Sequence, residues 1–151
     1  MLNKWDIAHK DFKGVMEDFK LRFKFLEYAP MLTISAKNGR HIEKLGESIL
    51  KVYENFSRRI PTSKLNEVVK EATQRHLLPS DHGKIVKIYY ATQFETKPPQ
   101  IALIMNRPNS LHFSYKRYLV NFLRERFDFS GSRIIFIARG KNDFNENANV
   151  E

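Results

Sequence analysis

The chain has 151 residues, 42% of them hydrophobic, and this permits one ordinary domain or two small ones with packed cores. Its formal net charge of +9 favours a polyanionic partner, and the excess lies mainly after Asn55, where sixteen Lys+Arg stand against nine Asp+Glu. The absence of cysteine excludes disulfides and thiolate metal sites, and no apolar run approaches the roughly 18 residues of a membrane span, so we expect a cytoplasmic protein without a membrane partner.

The first part of the chain predicts two strand ends that alternate with two helices. An apolar strand ends at Asn3-Lys4-Trp5-Asp6, and a second strand, through Ile34, ends at Ser35-Ala36-Lys37. Apolar residues at helical spacing predict helices over residues 10–28 and 42–56, the first of them with one buried side. This order is typical of a doubly wound sheet, in which ligands bind at the carboxyl ends of the strands.

The side chains at these two strand ends suit the edges of a guanine base. Asp6 would accept two hydrogen bonds, from the ring N–H and the exocyclic amine of guanine, and adenine offers no such pair. Asn3 would bond the opposite edge of the base and brace the neighbouring loop, while the Lys4 stem lies along one ring face. The Ala36 N–H would meet the base carbonyl oxygen, and Lys37 would cover the second face. The alternative is a coincidental tetrapeptide followed by a generic strand end.

The second part begins at a junction over residues 57–63, where Pro61 cannot continue the preceding helix. A new helix is predicted from there to about Arg75, followed by a strand over residues 85–93 and a second strand over residues 101–106 that pairs antiparallel with it. In the first strand, the predicted faces are Val86, Ile88 and Tyr90 on one side and Lys87, Tyr89 and Ala91 on the other.

A helix over residues 113–127 and a strand over residues 133–139 complete the second part. The outer face of this helix is predicted to carry Lys116, Arg117, Arg124 and Arg126. The second part is therefore predicted to be a small α+β module with the order α-β-β-α-β and a three-stranded sheet. Residues 140–151 lack periodicity and predict a disordered tail.

Several stretches of this sequence are also similar to those of a known family. They are Arg58-Arg59-Ile60-Pro61-Thr62-Ser63, Leu65-Asn66, Lys87-Ile88-Tyr89-Tyr90-Ala91-Thr92-Gln93, Pro98-Pro99 and His112-Phe113-Ser114-Tyr115-Lys116-Arg117-Tyr118-Leu119. With them, the chain resembles the C-terminal part of the Der (EngA) bacterial GTPases, which carry two tandem GTPase domains followed by a KH-like domain and act in assembly of the large ribosomal subunit. The resemblance implies an α/β partial P-loop GTPase fold over residues 1–56, comprising its last strands and helices only, an α+β KH-like domain over 57–139 and a tail over 140–151.

The resemblance assigns the residues at the two strand ends to the guanine-binding motifs of the second GTPase domain. These residues are Asn3, Lys4, Trp5, Asp6, Ser35, Ala36 and Lys37. The family hydrolyses GTP and binds GTP or GDP with Mg²⁺, but this chain contains no Gly-x-x-x-x-Gly-Lys sequence and lacks the upstream Mg²⁺-holding segments. We therefore expect no GTP hydrolysis, no tightly bound cofactor and at best millimolar nucleotide binding. We also expect the chain to be an excised fragment or the product of a split reading frame.

The basic residues of the second part are candidates for contact with RNA of the large ribosomal subunit. Phosphate contacts are expected from Lys87, Lys116, Arg117, Arg124, Arg126, Arg133 and Arg139, and base stacking from Tyr89. The alternative is a docking or regulatory module that holds the family's upstream GTPase domains and never meets RNA. Because the first part contains only the rim of a sheet, we further expect it to self-associate or to be loosely structured.

Two common site signatures are missing from the sequence. The six glycines never stand three apart, so the Gly-x-x-Gly clamp of KH domains is absent, and recognition of the shape or backbone of structured RNA is expected in its place. The five histidines lie in unrelated segments without metal-ligand spacing, so no metal site is expected.

Overall fold

The computed structural model describes residues 1–7 and 11–141, and the contacts divide the chain into two compact units. The first unit comprises Met1–Phe56 and Phe129–Ser132, and the second comprises Ser57–Asp128 and the residues from Arg133 onward. Lys10, where the first helix was predicted to begin, lies outside the described residues, as does the predicted tail beyond Lys141.

Two α-helices form the body of the first unit: α1 over Phe12–Arg22 and α2 over Ile42–Phe56. The predicted extension of α1 to Tyr28 is wrong, because Phe23 leaves the helical region and a short 3-10 helix, Lys24–Leu26, follows. The predicted buried side of α1 is also wrong, since none of its residues is buried. The apolar stripe of α2 is similarly open, with Ile49 58% exposed.

The two predicted strands of the first unit are reduced to a single parallel bridge. Leu2 pairs with Thr33 through hydrogen bonds from the Leu2 N–H to the Leu32 carbonyl and from the Ile34 N–H to the Leu2 carbonyl, each 2.8 Å long. The parallel direction is the one that the predicted strand order requires.

A short segment from late in the chain, Phe129–Ser132, belongs to the first unit. The Gly131 N–H donates to the Tyr28 carbonyl at 2.8 Å, and the Asn55 side-chain amide donates to the Ser130 carbonyl at 3.0 Å. Phe129 is almost completely buried. The sequence pattern predicted only a connection here, because a return to the first unit is a long-range contact that local periodicity does not encode.

The second unit is an α+β module built in the predicted order. Helix α3 covers Thr62–Arg75, strands β1 and β2 cover Ile88–Glu95 and Gln100–Met105, helix α4 covers Phe113–Arg126, and strand β3 covers Ile135–Arg139. The sheet order is β1-β2-β3, with β1 and β2 antiparallel and β2 and β3 parallel. Helix α3 packs on β1 and α4 packs on β3, and the two helices contact each other. The predicted α-β-β-α-β order with a three-stranded sheet is confirmed.

The core of the second unit lies around the central strand β2. Its five residues from Ile101 to Met105 are fully buried, as expected for a strand covered on both faces. The buried residues of the two helices follow the predicted stripes: Leu65, Val69 and Ala72 on α3, and Tyr115, Leu119, Phe122 and Leu123 on α4.

The predicted facing of β1 is wrong at two residues. Tyr90, predicted to share a face with the buried Val86, is 39% exposed, while Ala91, predicted to share a face with the exposed Tyr89, is fully buried, and Gln93 is buried as well. A register shift between Ile88 and Tyr90 places one extra residue in β1 opposite β2. Such a bulge exchanges the two faces of the strand beyond it, and an alternating pattern does not reveal its position.

Hydroxyl groups join α3 and α4 at their buried interface. The Tyr115 hydroxyl donates to the His76 carbonyl at 2.6 Å, and the Tyr118 hydroxyl donates to the Ala72 carbonyl at 2.8 Å. Burial, and secondarily the neighbouring Tyr118, raise the pKa of Tyr115 to about 12. The Tyr115 hydroxyl therefore stays protonated, and able to donate, throughout the neutral range.

None of the helices among the described residues is long and apolar enough to cross a membrane.

Candidate guanine-binding corner and basic surfaces

The parallel bridge sets the tips of the two predicted base-binding motifs side by side. Beyond the Leu2–Thr33 pair, the Trp5 N–H donates to the Ile34 carbonyl at 3.1 Å. A hydrogen bond on each side of Asn3 therefore fixes the N-terminal motif against the second strand end. We call this arrangement of residues 3–6 and 35–37 the corner.

Asp6 and Ser35 form the inner contact of the corner. The Ser35 hydroxyl donates to Asp6 Oδ1 at 2.7 Å and accepts from the Asn38 N–H at 3.4 Å, and Ser35 is fully buried. Asp6 itself is exposed, so its carboxylate is held at one oxygen while the group remains open to solvent. Each carboxylate oxygen has two acceptor sites, so both oxygens can still accept the paired donors of a base edge.

Asn3 bridges the two motifs at the other side of the corner. Its Oδ1 accepts from the Ala36 N–H at 3.2 Å and from the Lys4 N–H at 2.8 Å. The Ala36 N–H, which was expected to meet a base carbonyl, therefore points toward Asn3 in this structure. A 3.2 Å bond lies at the long end of the range, so the proton can be shared with a base oxygen at small cost.

Lys4, Lys37 and Trp5 complete the corner. Both lysines are exposed, and Lys4 has a φ of 62°, a left-handed conformation that is uncommon for a residue other than glycine. The Trp5 ring is half-buried and meets the Phe12 ring edge-on, with 6.1 Å between the centroids. Trp5 therefore packs toward α1, and the exposed side chains of Lys4 and Lys37 form the two sides of the corner.

Phosphate-binding and metal-binding elements are not found beside the corner. No group of three or more His, Cys, Asp or Glu that could hold a metal ion occurs among residues 1–7 and 11–141. The sequence, as noted, has no Gly-x-x-x-x-Gly-Lys loop. The corner can therefore offer hydrogen bonds to a base, while the described residues provide no cradle for a triphosphate.

The outer face of α4 carries three of the four predicted cations. Lys116 and Arg117 are consecutive, and Arg124 follows Arg117 by seven residues, about two turns, which places Arg117 and Arg124 on the same side of the helix. Lys116 and Arg117 have no ion-pair partner among the described residues. Two adjacent, uncompensated cations on one helix face are a suitable site for phosphate contact.

The predicted placement of Arg126 on that outer face is wrong. Arg126 forms an ion pair with Glu71 of α3 and lies over the Phe122 ring, 5.5 Å from the ring centroid. Arg75 binds the same Glu71 carboxylate at 2.7 Å. Arg126 therefore joins α4 to α3, because it continues the buried stripe of Leu119 and Leu123 at spacings of seven and three residues.

The remaining candidates lie on the sheet. Lys87 and Tyr89 are exposed at the beginning of β1, beside α3. Arg139, at the end of β3, lies over the Phe94 ring, 4.6 Å from its centroid, and Arg133 is exposed just before β3. The predicted residues thus occupy the outer face of α4, the start of β1 and the two ends of β3, on separate elements of the module.

The loop before α4 is fixed by an ion pair that the sequence analysis did not predict. Asp81 accepts from the Ser110 hydroxyl at 2.7 Å and from Arg107 at 2.9 Å. The Ser110 hydrogen bond, followed by that from Arg107, lowers the pKa of Asp81 below its usual value. The charge of Arg107 is therefore already compensated, which leaves Lys116 and Arg117 as the cations available near the start of α4.

The fold of the second unit agrees with a comparison against known protein families. Residues 59–139 match the KH-domain-like domain found at the C-terminus of EngA bacterial GTPase enzymes. The chain belongs to this family. The matched residues include all five regular elements of the second unit, so the three-stranded mixed sheet with α3 and α4 is the EngA KH-like fold.

Relatives of this EngA family resemble the whole described chain, including the corner. The chain is 66% identical over 143 residues to the GTPase Der of Wolinella succinogenes, covering 95% of the chain and 30% of the relative. It is 61% identical over 142 residues to the GTPase Der of Helicobacter hepaticus, covering 94% and 29%, and 53% identical over 151 residues to that of a Nitratiruptor species, covering 100% and 33%. The chain thus corresponds to the C-terminal part of these relatives and spans about 30% of their length.

Two side chains with structural consequences escaped the sequence analysis of this EngA-type domain. Asn66 donates to the Ala91 carbonyl at 2.7 Å and accepts from the Ala91 N–H at 2.8 Å. Arg59 donates to the Gln93 carbonyl at 3.2 Å. Both therefore occupy backbone groups of the edge strand β1, and the only signal in the sequence was their presence in the stretches shared with the family.

Proposed function

We propose that this chain is the C-terminal part of a GTPase that acts in assembly of the large ribosomal subunit. In this proposal the first unit is the remnant of a GTPase domain that recognises guanine, and the second unit contacts structured ribosomal RNA. Its place of action would be the cytoplasm. The whole protein would bind GTP or GDP with Mg²⁺, whereas this chain would hydrolyse no GTP by itself.

The guanine half of the proposal is supported above all by the contact between Asp6 and Ser35. A carboxylate held at one oxygen by a buried hydroxyl has a fixed orientation, and a fixed acceptor pair discriminates against a base without the matching donors. Asn3 gives a second cross-link, to Ala36, so the two motifs keep their relative position without a ligand. Such preorganisation reduces the entropy lost on binding a base.

The RNA half is supported by Lys116 and Arg117. Both lie outside the buried stripe of α4, and neither is neutralised by a described carboxylate. Phosphate contacts of this kind give affinity that depends on charge and backbone shape rather than on base sequence. That mode of binding is compatible with the absence of a Gly-x-x-Gly clamp.

A second candidate function is docking of the second unit against the GTPase domains of the longer relatives. It is favoured by the ion pairs of Arg126 and Arg107, since two of the arginines near α4 already act in protein contacts. In the first unit, the open apolar stripe of α2 would either be covered by those domains or cause self-association of this chain.

The experiment that separates these functions is a binding titration with RNA of the large ribosomal subunit at several salt concentrations. We expect affinity to fall steeply with salt, and the double substitution Lys116→Gln with Arg117→Gln to lower the salt slope by about 2, since each phosphate contact contributes about 1. The matched control is Lys64→Gln with Lys84→Gln, which removes two exposed charges of the same unit that are not part of α4.

RNA footprints that vanish in the α4 variant and persist in the control would support contact through this face. Salt-insensitive binding, or an equal loss in the two variants, would argue against it. If the chain protects no ribosomal RNA but binds the upstream GTPase domains of a relative, the docking function replaces RNA contact.

A further inference from the structure

A groove of about 440 Å³ runs between α3 and the beginning of β1 within the second unit. One wall includes Lys70 and Gln74 of α3 and Leu77 just beyond it, and the other includes Lys87, just before β1, and Tyr89 of β1. The volume lies within the ~300–1,000 Å³ typical of ligand-binding clefts. The groove is on a different part of the module from the outer face of α4.

The groove carries positive charge without a compensating carboxylate. Lys70 and Lys87 are both exposed, and neither has an ion-pair partner among the described residues. Among the residues that the structure describes, no aspartate or glutamate lines the groove. Glu71, the next residue after Lys70, is engaged by Arg75 and Arg126.

Apolar and aromatic surface is open to solvent in the same groove. Tyr89 is 47% exposed and Leu77 is 78% exposed. The Lys141 ammonium lies 5.5 Å from the centroid of the Tyr89 ring, which adds a further cation beside an aromatic face. An exposed ring flanked by lysines is the arrangement that binds single-stranded nucleic acid, with bases stacked and phosphates neutralised.

An extended peptide is disfavoured as the occupant, because the free edge of β1 is already occupied. The Asn66 side chain binds both the N–H and the carbonyl of Ala91, and Arg59 binds the Gln93 carbonyl. A peptide that added a strand to β1 would need these same backbone groups. The positive charge of the groove therefore favours a polyanion, which would contact the groove side chains without pairing to the edge of β1.

We propose that this groove binds a short single-stranded segment of RNA, with a base stacked on Tyr89 and the flanking phosphates at Lys70 and Lys87. The inference rests on the proposed RNA-binding function and adds a second site to it. In this arrangement, α4 contacts the backbone of structured RNA, while the groove holds an unpaired segment beside it.

The test measures binding of a fluorescently labelled single-stranded oligonucleotide and of a duplex RNA to the whole chain. We expect Lys70→Gln with Lys87→Gln, and separately Tyr89→Ala, to weaken single-strand binding about tenfold, the range measured for loss of one stacked base. Tyr89→Phe keeps the ring and should bind as the unsubstituted chain does. Duplex binding should be unchanged in these variants and weakened by Lys116→Gln with Arg117→Gln.

A photoreactive uridine in the single strand should cross-link to the peptide that contains Tyr89. If the groove variants bind the single strand normally while the α4 variant loses the duplex, the groove assignment is wrong and the proposed function stands. If the chain binds neither the single strand nor the duplex, the groove assignment and the proposed RNA-binding function are both wrong. Circular dichroism of Tyr89→Ala checks that this variant is folded. If it is not, Lys70→Gln with Lys87→Gln decides whether the groove binds the single strand.

Discussion

Replacement of Gly131 by Ala is expected to destabilise the first unit by about 3 kcal/mol, combining roughly 1–2 for the left-handed backbone with roughly 1–3 for overpacking. Gly131 has a φ of +75°, a backbone conformation that residues with a side chain rarely adopt. A Cβ at this position would lie 2.3 Å from Val52 Cγ2 and 3.2 Å from Pro30 Cδ. The β-branched Val52 side chain sits on α2 and has little rotamer freedom with which to move away.

The effect can be measured by urea unfolding followed through tryptophan emission, because Trp5 is the single tryptophan of the chain and lies in the first unit. The matched control is Gly46→Ala in α2, where an added Cβ meets nothing within 4 Å. That control should stabilise by about 0.5–1 kcal/mol through helix propensity. Equal unfolding midpoints for Gly131→Ala and the unsubstituted chain would contradict the proposed packing of Phe129–Ser132 in the first unit.

Replacement of Asn66 by Ala should destabilise the second unit by about 2–4 kcal/mol, since a buried group that loses its partner costs roughly 1–3. Asn66 binds the N–H and the carbonyl of Ala91, and it also donates to the Thr62 carbonyl at 2.8 Å. Ala91 is fully buried, so water has poor access to the two backbone groups that would be left unpaired. The loss would also free part of the β1 edge for pairing with a second chain.

Far-ultraviolet circular dichroism during urea unfolding would measure this change, with size-exclusion chromatography to detect association through the exposed edge. Asn121→Ala is the control, because Asn121 is an exposed residue of α4 with no side-chain hydrogen bond to the described residues. Its effect should stay within about 0.5 kcal/mol. A loss in Asn66→Ala no larger than in this control would show that the side chain does not support β1.

The helices and the last strand could be predicted from the sequence because their signals are local. The apolar stripes of α3 and α4 recur at helical spacing and are buried as predicted. The end of α1 and the two faces of β1 were predicted wrongly because, in each case, the sequence carries no local signal of the change. Phe23 is compatible with a helix but leaves it, and the bulge after Ile88 inserts one residue without a mark in the alternating pattern.

The proximity of the two predicted base-binding motifs also follows from the sequence, because the ends of neighbouring parallel strands meet at one edge. The detailed contacts do not follow. That the Ala36 N–H points to Asn3, and that Lys4 has a positive φ, depends on the three-dimensional course of both segments. Arg126 is a different case, since its spacing from Leu119 and Leu123 already indicated the side that faces α3.

In the proposed function, the corner recognises a guanine base without help from a phosphate loop. The most direct test is nuclear magnetic resonance of the ¹⁵N-labelled chain titrated with GMP, GTP and AMP. We predict millimolar, saturable shifts at Asp6 and Ala36 with both guanine nucleotides, no shifts there with AMP, and none with GMP in Asp6→Ala. Micromolar affinity for GTP, or equal shifts with AMP, would contradict the claim.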